Sequence, residues 1–581
     1  MALFNRMRQA TASSTGWNGW NRRRWAGVAA ILVLAAFLRL GGISEVGVRF
    51  CDGAWYASDA RLWHRCARVL LDPQAIRAFL TADKAALQER IDAHGVDFSG
   101  RYYKPCQGYT FLAALMMFIV GDSPSALPVT NAVLGTLAVL VLYRLGLALF
   151  DRWIALGGAL LLAISPYHLV YCRSALADAS AGFFVLVGVW LWVVARQSTE
   201  SRWWRFALSG AALGYAATCH FRSGYVPVVM LFVDVLSLAG RSRPNDSAAA
   251  GWRGLIGRWS WLTLGAVTPL LAIQSIFCAA RLAAWIVDAY LPVTTFFHAG
   301  SRWLMRSVEI EASAGFNSKV IGEFANYFTQ WHGVAAGCFA LVGLAVVLCR
   351  NDLSRLLALI ILAPLGVLLF QHNLVARAMA TAIPIACLCV AVGGRAAVQV
   401  AGGRKARAKL VCAAALTVVV AAPGLTNAWH LRGKNSDVAR ACAWVEANGG
   451  GAVAVPSRCL YWLYLEGTAL PVVGEGWLCP RGEPAEVLAS LRAAGVRWAI
   501  TDPQHWHGAL ESSLFLQREA IDEHLREHVP LVAEFPHISN YRWEFMADGP
   551  GLANLAEMER RGGGPIRIYD LGCDSLAAGS P

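Results

Sequence analysis

The run WAGVAAILVLAAFLRLGG, residues 25–42, is apolar over nearly the roughly 20 residues that an α-helix needs to cross a hydrocarbon layer. No small-residue cleavage site follows it, so it reads as a retained first span and not a signal peptide. Five arginines (Arg6, Arg8, Arg22, Arg23, Arg24) precede it and no acid occurs before Glu45, the charge bias of a cytoplasmic flank. Similar runs recur near 126–149, 152–170, 176–196, 204–219, 223–239, 259–280, 330–349, 355–371, 378–395 and 408–424, which makes about eleven spans. A chain that is 56% hydrophobic and 15% charged is too apolar for an ordinary soluble protein.

The connections test this count. ARQSTESRWWR (195–205), GRSRPNDSAAAGWRGLIGRW (240–259), CRNDLSR (349–355) and GGRAAVQVAGGRKARAK (393–409) are basic, and alternate threading puts all four on the side of the N-terminus. The net charge of +13 therefore follows topology, and no nucleic-acid partner is expected. The expectation is a multi-pass, α-helical protein of the cell (inner) membrane. It has a basic cytoplasmic N-terminus (1–24), a transmembrane domain (25–425) with outer loops at 43–106 and 281–329, and an extracytoplasmic domain (426–581).

CQGYTFLAALMMFIVG (106–121) is apolar but short of a full span, and its crossing would put the later basic connections on the wrong face. It reads as an interfacial or re-entrant helix at the outer surface. Only two spans then separate Asp52 from Asp178, so both acids emerge on that face. After Asp52, Tyr56, Ala60, Trp63, Ala67 and Leu70 recur at helical spacing, with Ser58, Arg61, Arg65 and Arg68 opposite. That pattern predicts a helix in the interface plane, its apolar side in lipid. Beyond 425, short apolar runs alternate with helical stretches, the pattern of a soluble α/β domain. It carries no nucleotide-binding glycine motif and no metal-ligand cluster, which leaves acceptor binding or covering of the site as its role. Of the 15 cysteines, Cys51, Cys66, Cys106, Cys442, Cys459, Cys479 and Cys573 fall on the outer side, and their pairing is not readable.

The outer face collects the polar residues that carry chemistry. Asp52, in FCDGAWYASDARLW, either caps the helix that follows or serves as a carboxylate, and both roles are compatible. Asp178 opens a span and is followed by small residues; an acid at that depth needs a partner or a function. Arg173, five residues earlier, is either its ion-pair partner or a substrate ligand. Lys104, next to Tyr103, and Arg377, five residues after His372, read either as phosphate ligands or as cations snorkelling to head groups. His220 and Arg222 mark an outer break between two short spans. Tyr56 lies one helical turn after Asp52, placed to hydrogen-bond it, to stack on sugar or to pack.

Residues 50–240 resemble the membrane part of the GT-C glycosyltransferases that use polyprenyl-phosphate sugars, closest in pattern to protein O-mannosyltransferases and lipid A aminoarabinose transferases. CDGAWY (51–56) is similar to that family's Asp-Glu-x-x-Tyr after the first span, with Gly53 in place of the second acid. YYKPCQGY (102–109) is similar to its Lys-Pro-Pro stretch, with Cys106 in place of the second proline. SPYHLVYCRSALAD (165–178) and NLVARAMATAIP (373–384) are similar to its Ser-Pro…Arg…Asp stretch and its arginine-led late span.

The resemblance implies transfer of a sugar from a polyprenyl phosphate to an acceptor hydroxyl on lipid, glycan or protein at the outer face. In that scheme Asp52 is the base, Asp178 orients substrate or supports Asp52, and Lys104 and Arg377 hold the leaving phosphate, with Arg173, Tyr56, Tyr103, His220 and His372 as further ligands. The single acid at the first motif argues against a metal site, and no cofactor is expected. The implied partners are the lipid-linked sugar, membrane lipids and an acceptor that the sequence does not identify. A transporter or lipid flippase, and a degenerate relative with a binding role, are the readings of another class. The lack of a clear repeat, with polar residues gathered at one face, favours the enzyme.

Overall fold

The computed structural model describes residues 22–48, 51–96, 107–198, 203–239, 248–287, 331–350, 353–368, 379–401, 406–432, 437–456, 458–465, 468–474, 483–502, 512–535 and 565–572, with isolated positions between 322 and 329. Tyr103, Lys104, His372 and Arg377 lie outside these residues, and of Asp52 only the backbone lies within them.

The chain is mostly helix. The first apolar run forms α1 (Arg22–Leu40), followed by α2 (Cys51–Leu71), α3 (Pro73–Leu80), α4 (Lys84–Ala93) and α5 (Gln107–Val120). Next come α6 (Ala126–Leu149), α7 (Arg152–Ala163), α8 (Pro166–Cys172), α9 (Asp178–Gln197), α10 (Trp203–Cys219) and α11 (Tyr225–Ala239). The helical domain ends with α12 (Ala248–Val287), α13 (Val334–Cys349), α14 (Arg355–Leu368), α15 (Ile383–Ala401) and α16 (Ala406–Arg432). Among the described residues four helices are long and apolar enough to cross a membrane, or five with α7 and α8 counted as one bent span. The apolar parts of α1, α5, α13 and α14 are shorter.

The expected span at 152–170 is broken at Ser165–Pro166, where α7 and α8 meet at 57°. Proline at the first helical position of α8, with the Ser165 hydroxyl accepting from the His168 N–H at 3.2 Å, restarts the helix. The break frees carbonyls that need donors inside an apolar domain. Arg39, fully buried at the end of α1, donates to Leu162 O and Ala163 O, both at 2.9 Å. In return Arg173, which ends α8, donates to Arg39 O at 2.9 Å, Gly41 O at 2.8 Å and Arg432 O at 3.0 Å. Arg39 thus closes the end of α7, and Arg173, beyond the break, closes the end of the helix that carries Arg39.

The apolar side of α2 meets protein and not lipid, which corrects the expectation for its first turns. Tyr56, Ala60 and Trp63 are buried. The Trp63 indole donates to Gln107 Oε1 at 2.9 Å and sets its ring against Phe111. The reason is that α5 lies alongside and supplies an apolar partner, which leaves only the end of the stripe, Leu70 and Leu71, exposed. The basic side is also engaged, because Arg61 and Arg65 flank Asp122 at 3.2 and 3.5 Å.

After α17 (Asp437–Asn448) the chain builds a sheet from β1 (Ala452–Ala454), β2 (Val472–Val473), β3 (Val496–Thr501), β4 (Leu531–Phe535) and β5 (Ile566–Asp570), in the order β2-β1-β3-β5-β4. The first three strands are parallel, and β5 is antiparallel to both neighbours. Helices α18 (Arg458–Leu465), α19 (Pro484–Ala493) and α20 (Ser512–His528) complete this unit. Tyr461 on α18 donates to Asp502 at 3.0 Å. Burial and that carboxylate hold its phenol well above the usual pKa, so it remains a donor at neutral pH. The unit rests on the helix that carries Asp52: Arg61 donates to Leu463 O at 3.0 Å, and the Tyr464 hydroxyl accepts from the Val48 N–H at 2.5 Å.

A buried charge cluster ties three helices together. Asp234 on α11 is 1% exposed, takes Arg196 of α9 at 2.8 Å and accepts from the Trp259 indole of α12 at 2.9 Å. Removing one partner of a buried pair leaves the other charge uncompensated. Asp234→Ala is expected to destabilise the folded protein by about 3–5 kcal/mol, read as lower thermal unfolding in detergent. Unchanged unfolding would show that the cluster carries no packing role.

Candidate active site at the head of the Asp178 helix

Asp178 is the first residue of α9 and is 5% exposed. A carboxylate suits a helix N-terminus, where unpaired N–H groups leave a partial positive charge. Its described basic neighbour is His220, also buried, with Nε2 at 3.9 Å from Asp178 Oδ1. The Arg222 N–H donates to His220 Nδ1 at 3.3 Å, so the ring proton of the neutral imidazole sits on Nε2, facing the carboxylate.

The turn that leads into Asp178 is held from α6. Asn131, fully buried, donates through Nδ2 to Leu176 O at 2.6 Å, Ser174 O at 2.8 Å and the Tyr109 hydroxyl at 3.0 Å. Its Oδ1 accepts from the Ser180 hydroxyl at 2.6 Å. Tyr109 in turn meets the edge of Tyr56, ring centres 5.6 Å apart.

The other motifs approach the same place through their backbones. A Cβ placed on Gly53 would lie 2.9 Å from Ala175 Cβ and 3.0 Å from Val48 Cγ1, so the first turn of α2 is pressed against the turn before Asp178. Glycine in place of a second acid is thus a packing requirement at this position. The helix after Lys104 begins at Gln107, and its Gly108 is in close contact with Thr218 and Cys219, the residues just before His220. Tyr215 fixes that contact by donating to Gly108 O at 2.9 Å. One turn into α9, a Cβ on Gly182 would lie 3.7 Å from Thr381 Cα, in the described stretch that follows Arg377.

Asp178, His220, Tyr56 and the backbone of Asp52 are therefore brought to one region. Arg173 stands beside it, with its guanidinium on the ends of α1 and α16. Tyr103, Lys104, His372 and Arg377 lie outside the described residues. Asn131, Tyr109 and Arg39 escaped the reading of the sequence; the available signal was a polar or charged residue inside an otherwise apolar run. A buried carboxylate facing an imidazole N–H can orient a hydroxyl and exchange a proton with it.

A family model described as dolichyl-phosphate-mannose-protein mannosyltransferase matches residues 105–250, about a quarter of the chain and the part that contains Asp178 and His220. No curated protein matches. Among solved structures, the apo oligosaccharyltransferase of Archaeoglobus fulgidus superposes with a TM-score of 0.54 at 12% identity, over 96% of this chain and 89% of that one. The archaeal oligosaccharyltransferase AglB from the same organism, in complex with an inhibitory peptide and a dolichol-phosphate, gives 0.52 at 12% identity over 89% and 73%. ArnT from Cupriavidus metallidurans bound to undecaprenyl phosphate gives 0.54 at 12% identity, over 96% of this chain and 100% of that one. The fold is that of these GT-C glycosyltransferases, and the resemblance read from residues 50–240 agrees with it at the level of fold.

Gly53→Ala is expected to destabilise the protein by about 1–3 kcal/mol through overpacking, with a larger loss for Gly53→Asp. Thermal unfolding with fluorescence-detected gel filtration measures it. A Gly53→Asp protein of parental stability would show that the turn before Asp178 is not packed on α2.

Proposed function

We propose that the protein is a membrane glycosyltransferase that moves a sugar from a polyprenyl phosphate to an acceptor hydroxyl on the outer face of the membrane. The observation that carries this reading is the approach of Gly53, Gly108 and Thr381, from the described parts of three of the motifs, to the head of α9 and the turn that carries His220. The polyprenyl phosphates in the similar ArnT and AglB structures support a lipid phosphate as the donor's leaving group.

In this reaction the acceptor oxygen forms a bond to the anomeric carbon. The bond from that carbon to the phosphate oxygen breaks, and the phosphate leaves with the electron pair. Asp52 takes the proton from the acceptor hydroxyl, and Asp178 with His220 orients the sugar or the acceptor. Lys104 and Arg377 neutralise the phosphate as charge gathers on it, a task that fixed cations can perform in place of a divalent ion. A second acid at position 53 would press on Ala175 and Val48, so the motif offers one carboxylate, and the proposed reaction relies on fixed cations in place of a metal. The chain crosses the membrane about eleven times, with the sheet-containing unit outside, where its contact with Val48 and Arg61 covers the approach to α2.

With purified protein and a lipid-linked sugar, Asp52→Asn and Asp178→Asn are each expected to insert normally and to lose about 10²-fold or more in transfer, the first on the usual scale for a general base and the second on that for a misplaced substrate. Transfer is expected to survive EDTA. Loss on chelation with restoration by manganese or magnesium would make the two acids metal ligands instead. Near-full activity of Asp52→Asn would leave that residue a helix cap.

Topology is checked separately by cysteine labelling at 245, 400 and 500, expected inside, inside and outside. Residue 500 on the cytoplasmic side would overturn the outer-face assignment.

A further inference from the structure

We infer that Asn131 is a positioning residue that fixes the Asp178 carboxylate for transfer, an inference that rests on the reading of the site as a glycosyltransferase centre. Asn131 lies within an apolar span and is fully buried, where an amide without partners is costly. Its partners are not those of an ordinary helix–helix contact. Nδ2 holds Ser174 O and Leu176 O, the carbonyls of the turn between α8 and α9. Oδ1 holds the Ser180 hydroxyl, two residues into the helix that Asp178 begins. One side chain therefore grips the chain on both sides of Asp178.

The same amide reaches toward the first loop. Nδ2 donates to Tyr109, whose hydroxyl donates to Leu127 O at 3.2 Å and whose ring meets Tyr56, one turn after Asp52. The two acids of the proposed reaction are thus referred to one buried group, although they come from segments more than a hundred residues apart. Misplacing a reacting group by about 1 Å can cost on the order of 10²-fold in rate while leaving substrate binding nearly intact. Loss of Asn131 should therefore lower kcat and leave KM for the lipid-linked sugar little changed.

The experiment compares Asn131→Ala and Ser180→Ala with Thr136→Ala, whose hydroxyl bonds only within its own helix, to Ala132 O at 2.8 Å. Asn131→Ala is expected to lose about 10- to 100-fold in kcat with KM within about threefold, while Thr136→Ala stays at parental activity. Combined with Asp178→Asn it is expected to lose no more than Asp178→Asn alone, because it acts through that residue. Losses that multiply would overturn the inference and make Asn131 a general stabiliser.

Hydrogen exchange supplies a readout independent of activity. Peptides covering 173–182 should exchange faster in Asn131→Ala, with those of α15 unchanged, and unaltered exchange at 173–182 would also overturn the inference. If Asn131→Ala yields no folded protein, Ser180→Ala, which removes one bond and keeps the volume, carries the same comparison with a smaller shift. A parental protein that transfers no sugar sinks the functional reading, while the exchange data still decide whether Asn131 holds the turn.

Discussion

A span broken within an apolar domain must give its freed carbonyls a donor, and in this protein Arg39 does so, while Arg173, from beyond the break, closes the helix that carries Arg39. Arg39 reaches from the end of α1 to Leu162 and Ala163, and Arg173 reaches back from α8 to the end of α1 and to Arg432 at the end of α16. Charged groups are tolerated at such depth only when fully engaged, and Arg39 also meets His168 Nδ1 at 2.9 Å. These bonds make the bend between α7 and α8 a fixed feature. The bend delivers the chain to Asp178 in a short, buried turn.

On that turn the remaining segments are assembled. Asn131 holds it from α6, Gly53 lets α2 close on it, and His220 faces Asp178 from the break between α10 and α11. The α/β unit adds a contact to the segment that leads into α2, through Tyr464 and Val48. The site is thus built from helix ends and one buried amide, with loops contributing where they are pinned by close backbone contacts.

Much of this was legible from residue order. The Ser-Pro pair sits at the break between α7 and α8, and Asp178 at the start of an apolar run does head a helix. Short apolar segments were harder, because periodicity reports that a helix has an apolar side without reporting what covers it. Tyr56 and Trp63 read as lipid-facing for that reason, whereas α5 covers them. Arg173 read as an ion-pair partner or substrate ligand because it precedes Asp178 by one turn and more. The carbonyls it holds belong to residues 39, 41 and 432, a proximity no local pattern encodes. Asn131 was silent for the same reason, since its meaning lies in the carbonyls of 174 and 176.

The proposed reaction requires these segments to gather around a lipid phosphate at the head of α9. The most direct measurement is photolabelling of the purified protein with a photoreactive polyprenyl phosphate, followed by mapping of the labelled peptides. Label is expected within 51–56, 104–109, 174–182, 218–222 and 377–384, and competed by unlabelled polyprenyl phosphate. Competable label confined to the sheet-containing unit or to the basic connections near 245 and 400 would contradict it.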